Sequence, residues 1–591
     1  MGKEKEIRET GIPIEKKQQE GSEETKGISR RSFLTGGAVL GATVVASTAL
    51  GACSPQQSSS GTSSSGASGG KTLKEGQYAF EIPPDPIPES KITETVEVDV
   101  VVVGAGLSGT FAALAAAEEG ASVIVLQKSS IPVTHGIGWS IFDSELQREA
   151  GNEYDLKAWT DYFTKASYGY ANQAYVESIV YNSGRAADML DKHVKKRAEG
   201  FGSITAFPRN TMCMWNGPEV TNGYSRVPVM VNKMIEICSE LGVKYYYSCP
   251  ALQLEKEGDR VVAVIAENEA GSGYFRAKAA KGVILSTGDI GNDPDMVAKY
   301  APFCQGVLNT YAPPDNTGDG HKMALWVGAR MFSGPFTHAI HYDPSPLPEG
   351  DAPFSGSPYL AVNARGLRYQ NEDHAYPMIA NLNVQQPDKL RWQIIDNTFT
   401  EYWNDFVPGM CRNAGFAFNS NQEAYDACLK NGAIKKADTL EEIADIIGFQ
   451  GNDRTNFFAT IKRYNELADK GIDEDFGKNP DYLVKTAVRN GPFYSIKRSP
   501  GPLALIDGVY STPKMEVLDN DMNVIPGLFA SGNVVHSMFG CDYTISPGGI
   551  SCGHAISSGY VAGKASVGKL PDYKSYYKAP TGEGTLVAPP A

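Results

Sequence analysis

The sequence predicts an α/β protein organised on a parallel sheet, and three stretches carry that expectation. "VEVDVVVVGAGLSGTFAALAAAEEGASVIVLQK", from Val96, reads as strand, glycine turn, Ala-rich helix and second strand. "GVILSTGDIGND" repeats a buried strand running into a glycine turn, and "IPGLFASGNVVHS" does so again near the C-terminus. Near-continuous runs of Val, Ile and Leu are the mark of parallel strands buried on both faces.

At 591 residues the chain is too long for one simple core, so two or more domains are expected. A formal charge of −14 argues against nucleic acid or an anionic membrane surface as the main partner. Nine cysteines include no CxxC and no CxxCH, which excludes a zinc ribbon, a thioredoxin motif and c-type haem attachment, and no metal site is expected. Buried free thiols are the expected state of all but Cys53.

Residues 1–53 form an address. Arg30-Arg31-Ser32-Phe33-Leu34 precedes a short, mildly apolar run, the pattern of a twin-arginine signal. The run is too weak for a membrane span, which wants about 20 strongly apolar residues. It ends Leu50-Gly51-Ala52-Cys53, which resembles a bacterial lipobox, so a lipid on Cys53 and a place on the outer face of the cell membrane are expected. Residues 54–96 open with "SPQQSSSGTSSSGASGG" and are read as a Ser/Gly-rich linker.

Within the first folded unit, Val98–Val103 is the expected strand, the helix runs to about Glu119, and Ser122–Leu126 closes a βαβ unit. Gly104 permits the tight turn, Gly106 lets backbone approach a pyrophosphate, and Gly109 allows close helix–strand packing. A dinucleotide is the implied ligand. The second strand of such a unit ends in an acid that bonds ribose hydroxyls. Here Gln127 stands in that place, followed by Lys128, and the amide is expected to reach the hydroxyl.

The ordered set GAGLSG, STGD, NTGDG, Asn363-x-x-Gly366-x-Arg368-x-x-Asn371-Glu372, GLFASGN and SPGGIS resembles the fumarate reductase/succinate dehydrogenase flavoprotein superfamily over roughly residues 97–571. The resemblance implies a Rossmann-like FAD-binding domain (97–330 and 496–571) interrupted by an α+β capping domain (331–495), with a C-terminal tail (572–591). It places FAD against Gly104, Gly106, Gly109, Gln127, Lys128, Thr287, Gly288, Asp319, Gly532, Asn533, Gly548, Gly549 and Ile550. His135, seven residues after Lys128, resembles the histidine that bonds flavin covalently in membrane-complex members, and is expected near the flavin with or without that bond.

Departures from the family pattern carry the substrate argument. Fumarate-reducing members have a proton-donating arginine four residues after the motif glutamate; here that residue is Tyr376. The upstream helper arginine and glutamate are missing from "DAPFSGSPYLAVN". A histidine is replaced around Leu503-Ala504, and Ser546-Pro547 stands where a second arginine should precede Gly548-Gly549. Burying a dianion without cationic partners is very costly. "Asn371-Glu372-x-x-x-Tyr376" is similar instead to 3-ketosteroid dehydrogenases, whose tyrosine there handles the substrate proton. Tyr543 in "GCDYTISPGG" is the match to their ketone-polarising tyrosine, although it stands one residue further from the Pro-Gly. His338 and His341 are candidates for the cap entrance and His374 for support of the motif; His536 and His554 are given no role.

The expected function is therefore reduction of an activated C=C bond, an enone or enoate, by hydride from flavin with protonation by Tyr376. Electrons would come from a separate membrane-linked donor, since no haem-attachment or flavinylation motif is present. Three alternatives stand beside it: a 3-ketosteroid 1,2-desaturating dehydrogenase, a urocanate- or fumarate-type reductase, and a lipid-anchored electron-transfer flavoprotein without substrate chemistry.

Overall fold

Valines build the centre of the molecule. Val100, Val101, Val102 and Val103 are buried in the strand Ile92–Val103, where β-branched side chains pack well on a pleated surface. This strand pairs in parallel with Val123–Leu126 on one side and Tyr274–Leu285 on the other. Lys244–Tyr246 extends the sheet beyond the first, and Val524–Ala530 then Glu516–Leu518 beyond the second. An antiparallel meander, Ala251–Glu257 and Arg260–Glu267, leans on Tyr274–Leu285. The computed structural model describes residues 73–221, 225–268, 273–307, 313–341, 357–402, 405–406, 422–543 and 546–590, apart from the side chains at 340, 341, 376 and 424. The twin-arginine and lipobox residues lie outside that range.

Two helices meet backbone to backbone. Leu107–Ala117 is buried along its whole length and crosses Ile550–Ser566. A Cβ on Gly559 would stand 2.2 Å from Ser108 O and one on Gly563 2.3 Å from Ala112 O, so the Ala/Gly composition is what allows the approach. Glycine turns at the C-terminal ends of the strands thus face a crevice closed by the last long helix, the position where open α/β sheets bind ligands.

The chain leaves this domain through Thr337–His341 and returns through Gly501–Ile506, two strands paired antiparallel. Between them lies an α+β cap. Its four-stranded antiparallel sheet runs Ala361–Asn363, Arg391–Ile395, Phe493–Arg498, Ile434–Ala437. The helix Gly451–Lys470 covers the sheet with Phe457, Ile461, Tyr464 and Leu467, the spacing of one helical face.

Two expected boundaries are corrected. The linker does not extend to 96: Phe80 is buried, its carbonyl accepts from Trp326 Nε1 at 2.8 Å, and the first strand starts at Ile92. Its polar first half pairs with Tyr274–Ala279 beyond the core, and so reads as linker in sequence. The cap does not end at 495, because Phe493–Arg498 is hydrogen-bonded on both sides within the cap sheet. The C-terminal tail is docked: Thr585–Leu586 pairs with Asn152–Glu153, and Trp159 Nε1 donates to Val587 O at 2.9 Å.

Candidate active site

The crevice holds a cavity lined by Gly104 and Gly106, Gly288, Asp319, Gly532 and the Gly548-Gly549 turn. At one end Gly104 (φ +107°) leaves no room for a side chain: a Cβ would stand 2.3 Å from Ser286 O. A Cβ on Gly109 would stand 1.9 Å from Gly104 O. Gly106 differs, since its nearest neighbour would be Val133 O at 3.5 Å and it lines the cavity. Its amide opens the helix Leu107–Ala117, where unpaired N–H groups favour a phosphate.

Gln127, expected to reach a ribose hydroxyl, lines the cavity and also braces this turn. Its Oε1 accepts from Ala105 N at 2.9 Å and its Nε2 donates to Ile131 O at 3.2 Å. An amide, unlike the usual carboxylate, both donates and accepts, so it ties two loops together. Lys128 donates to Thr317 Oγ1 at 2.7 Å and pairs with Asp319 Oδ2 at 3.0 Å. Asp319 begins the helix Asp319–Trp326, whose Gly320 amide donates to Thr287 Oγ1 at 3.2 Å. Gly288 lies against Asn316, and Gly532 N donates to Ser558 Oγ at 2.9 Å beside Asn533. Behind them Asp289 is fully buried, and desolvation pushes its carboxyl up to about 6 against hydrogen bonds from Gly291 N, Leu505 N, Asn316 and Asn533.

At the other end, Gly549 (φ +77°) caps the helix Ile550–Ser566. Ser140 grips the turn, donating Oγ to Gly548 O at 2.6 Å and N to Gly549 O at 3.1 Å. Tyr162 OH donates to Ser546 O at 2.9 Å. Tyr543 is 6% exposed, its ring edge-on to Phe539, and its OH accepts from Ser551 N at 3.2 Å. His135 lines the same cavity, as do Ala339, Leu503 and Ala504. Ala339 and Ala504 are opposed in register, so this wall of the cavity is apolar.

The cap segment is built on a buried ionic cluster. Arg368 donates Nε to Glu372 Oε1 and NH2 to Glu372 Oε2, both at 2.9 Å. It also reaches Asp473 Oδ1 at 3.0 Å and Oδ2 at 2.7 Å. Lys478 Nζ lies 3.4 Å from Glu372 Oε2 and donates to Tyr464 OH at 2.5 Å. Desolvation alone would raise the Glu372 carboxyl; Lys478 and Arg368 outweigh it and hold it low, while burial brings Lys478 down to about 8. Every nitrogen of Arg368 is therefore already bonded to a buried carboxylate. Tyr376 is the first residue of the helix Tyr376–Val384, and its side chain lies outside the described residues.

The histidines divide. His338 Nε2 lies 3.1 Å from Asn381 Oδ1 and 3.7 Å from Asp542 Oδ1, at the cap junction. His374 is exposed, and the His341 side chain is not described. His536, given no role in sequence, is buried with Nδ1 on Asp507 Oδ1 at 2.9 Å and Nε2 on Tyr170 O at 3.1 Å. Burial opposes its cation, but the Asp507 bond and charge outweigh that and raise its pKa. His554 Nε2 bonds Tyr175 OH at 2.7 Å, and burial lowers it to about 4. Ser140 and Asp507 were not legible as site residues, because each acts through a partner in another segment of the chain, and Ser551 contributes only its backbone amide.

The glycine cradles that a Cβ would fill, and two helix N-termini on one cavity, fit FAD. Residues 99–545 match the family model described as FAD binding domain. A vinyl phenol reductase of Lactiplantibacillus plantarum is 28% identical over 493 residues, 79% of this chain and 95% of that protein. A digoxin reductase of Eggerthella lenta is 25% identical over 578 residues, covering 88% and 95%. A 3-oxosteroid 1-dehydrogenase of Mycolicibacterium smegmatis is 24% identical over 576 residues, covering 79% and 96%. Among solved structures, the open conformation of a flavocytochrome c3 fumarate reductase superposes with a TM-score of 0.64 at 21% identity, covering 84% of this chain and 83% of that one.

Proposed function

The chain belongs to the FAD binding domain family and is an FAD-dependent oxidoreductase; from that premise we propose that it reduces an uncharged, activated C=C bond conjugated to a ring or carbonyl. One observation carries the reading. Among the described residues lining the cavity, the only Lys or Arg is Lys128, and it is paired with Asp319. A dicarboxylate would enter without the cations its burial demands. The similarity to a protein named for reducing vinyl phenol, an alkene on a phenol ring, supports the same class.

FAD, when bound, supplies the hydride. The protein's own work is to place the alkene, exclude water and handle one proton. Tyr543 is held rigidly by Phe539 and by the Ser551 amide at a helix N-terminus, so its hydroxyl is fixed where charge would develop on a conjugated oxygen. The Ser551 bond uses a lone pair of that oxygen and not its proton. Tyr376, at the start of its helix, is assigned the proton that goes to the second carbon. We assign the signal residues to export with a lipid on Cys53, and the electrons to a separate membrane-linked donor.

The test is anaerobic. Flavin-loaded protein is reduced with a viologen, and reoxidation is followed on adding 4-vinylphenol, a cyclic enone or fumarate. The neutral alkenes should reoxidise the flavin, and Tyr376→Phe and Tyr543→Phe should each slow this by about 100-fold without slowing viologen reduction. Fast reoxidation by fumarate, unchanged in both variants, would overturn the proposal.

A further inference from the structure

One carboxylate joins the two tyrosines' supporting elements. Asp542 directs Oδ1 to the backbone N–H of Tyr543 at 2.8 Å and Oδ2 to Asn381 Nδ2 at 2.8 Å. Asn381 sits on the nine-residue helix Tyr376–Val384, five residues after Tyr376 and so about 7.5 Å further along its axis. With Nδ2 committed to Asp542, the Asn381 amide must turn Oδ1 toward His338 Nε2, where it lies at 3.1 Å, which fixes that nitrogen as the protonated one. His338 belongs to the exit strand Thr337–His341, and its backbone bridges to Asp542. Its ring rests on Phe303, centroids 4.9 Å apart. Three segments distant in the chain therefore converge on one side chain: the strand entering the cap, the cap helix, and the loop of the nucleotide domain.

We propose that Asp542 and Asn381 are positioning residues, forming a latch that sets the cap helix beginning at Tyr376 against the loop bearing Tyr543. Neither Asp542 nor Asn381 lines the cavity, and the latch's role rests on the reading above that both tyrosines serve one reaction. If it is released, each element keeps its own fold, since the helix is anchored by buried Ile379 and Ala380 and the loop by Phe539. What is lost is their mutual register.

Hydrogen exchange on flavin-loaded protein tests this, comparing wild type with Asn381→Ala, Asp542→Ala, the double variant and Asp542→Asn. Each alanine variant should speed exchange roughly tenfold in residues 376–384 and 540–543 together. The double variant should exceed neither single, and Asp542→Asn, with one acceptor oxygen where the carboxylate has two, should keep only one of the two bonds and restore only part of the protection. With 4-vinylphenol the alanine variants should lose kcat while KM and viologen reduction hold. Acceleration confined to one segment, or additive effects in the double variant, would overturn the latch. If wild type fails to turn over 4-vinylphenol while the exchange pattern holds, the substrate assignment falls and the latch stands.

Discussion

Replacing Arg368 with methionine should destabilise the cap by about 3–5 kcal/mol at neutral pH. The magnitude follows from what the guanidinium leaves behind. It makes four bonds to two carboxylates whose side chains are 1% and 0% exposed. At roughly 1.5–3 kcal/mol for each charge-assisted bond, a simple sum would exceed what breaking a buried pair costs, because such bonds are not additive. Lys478 would remain as the one cation for two buried acids. The pH dependence has a definite sign. Hydrogen bonds from Arg368 and the Lys478 amide overcome burial to hold the Asp473 carboxyl at about 2, and the Glu372 carboxyl is also lowered. Depressed acids contribute stability that is present above their unfolded pKa, about 4, and lost as pH falls through the folded one. Without the arginine these carboxyls titrate higher, so the variant recovers part of its loss by protonation, and its gap from wild type should narrow between pH 7 and 5. Urea unfolding by circular dichroism, with flavin release followed in parallel, separates cap from nucleotide domain. A loss under about 1 kcal/mol at pH 7, or a gap that widens toward pH 5, would refute the reasoning.

Two further outcomes are expected. Gly109→Ala should purify without flavin, measured as the ratio of flavin to protein absorbance, because its Cβ would meet Gly104 O at 1.9 Å with only backbone able to move. For His536 the folded pKa is raised, so its stabilisation is complete below the unfolded value of about 6.5 and is lost as pH rises through the folded one. The wild-type urea midpoint should fall as the solution is made alkaline from that point, and His536→Gln, which cannot titrate, should lack this fall.

Sequence legibility followed how local each constraint is. The turns at Gly104, Gly109 and Gly549 could be recognised because a glycine's need for space or positive φ is decided within a few residues. The valine run likewise declares a buried strand. The bracing contacts of Gln127, to Ala105 N and Ile131 O, could not be foreseen, because they are set by loop geometry that no periodicity reveals. The Asp507–His536 pair and the Ser140 clamp are contacts between distant segments, and each residue alone looks ordinary. Arg368 and Glu372 stand in a recognisable motif, but Asp473 and Lys478, about a hundred residues on, carry no mark of belonging to it.

The paired strands Thr337–His341 and Gly501–Ile506 also impose an order on biosynthesis. Everything the cap needs to bury Phe457 and Leu483 lies between them and emerges together, so the cap can mature while the chain is still growing. The nucleotide sheet has no such freedom. Its strand Ile92–Val103 waits for Tyr274–Leu285, that strand for Val524–Ala530, and the flavin turn for the helix Ile550–Ser566. A chain arrested before Ile550 would carry a folded cap on a half-made cradle. The cradle is thus closed by the helix Ile550–Ser566, the last segment in chain order to line it.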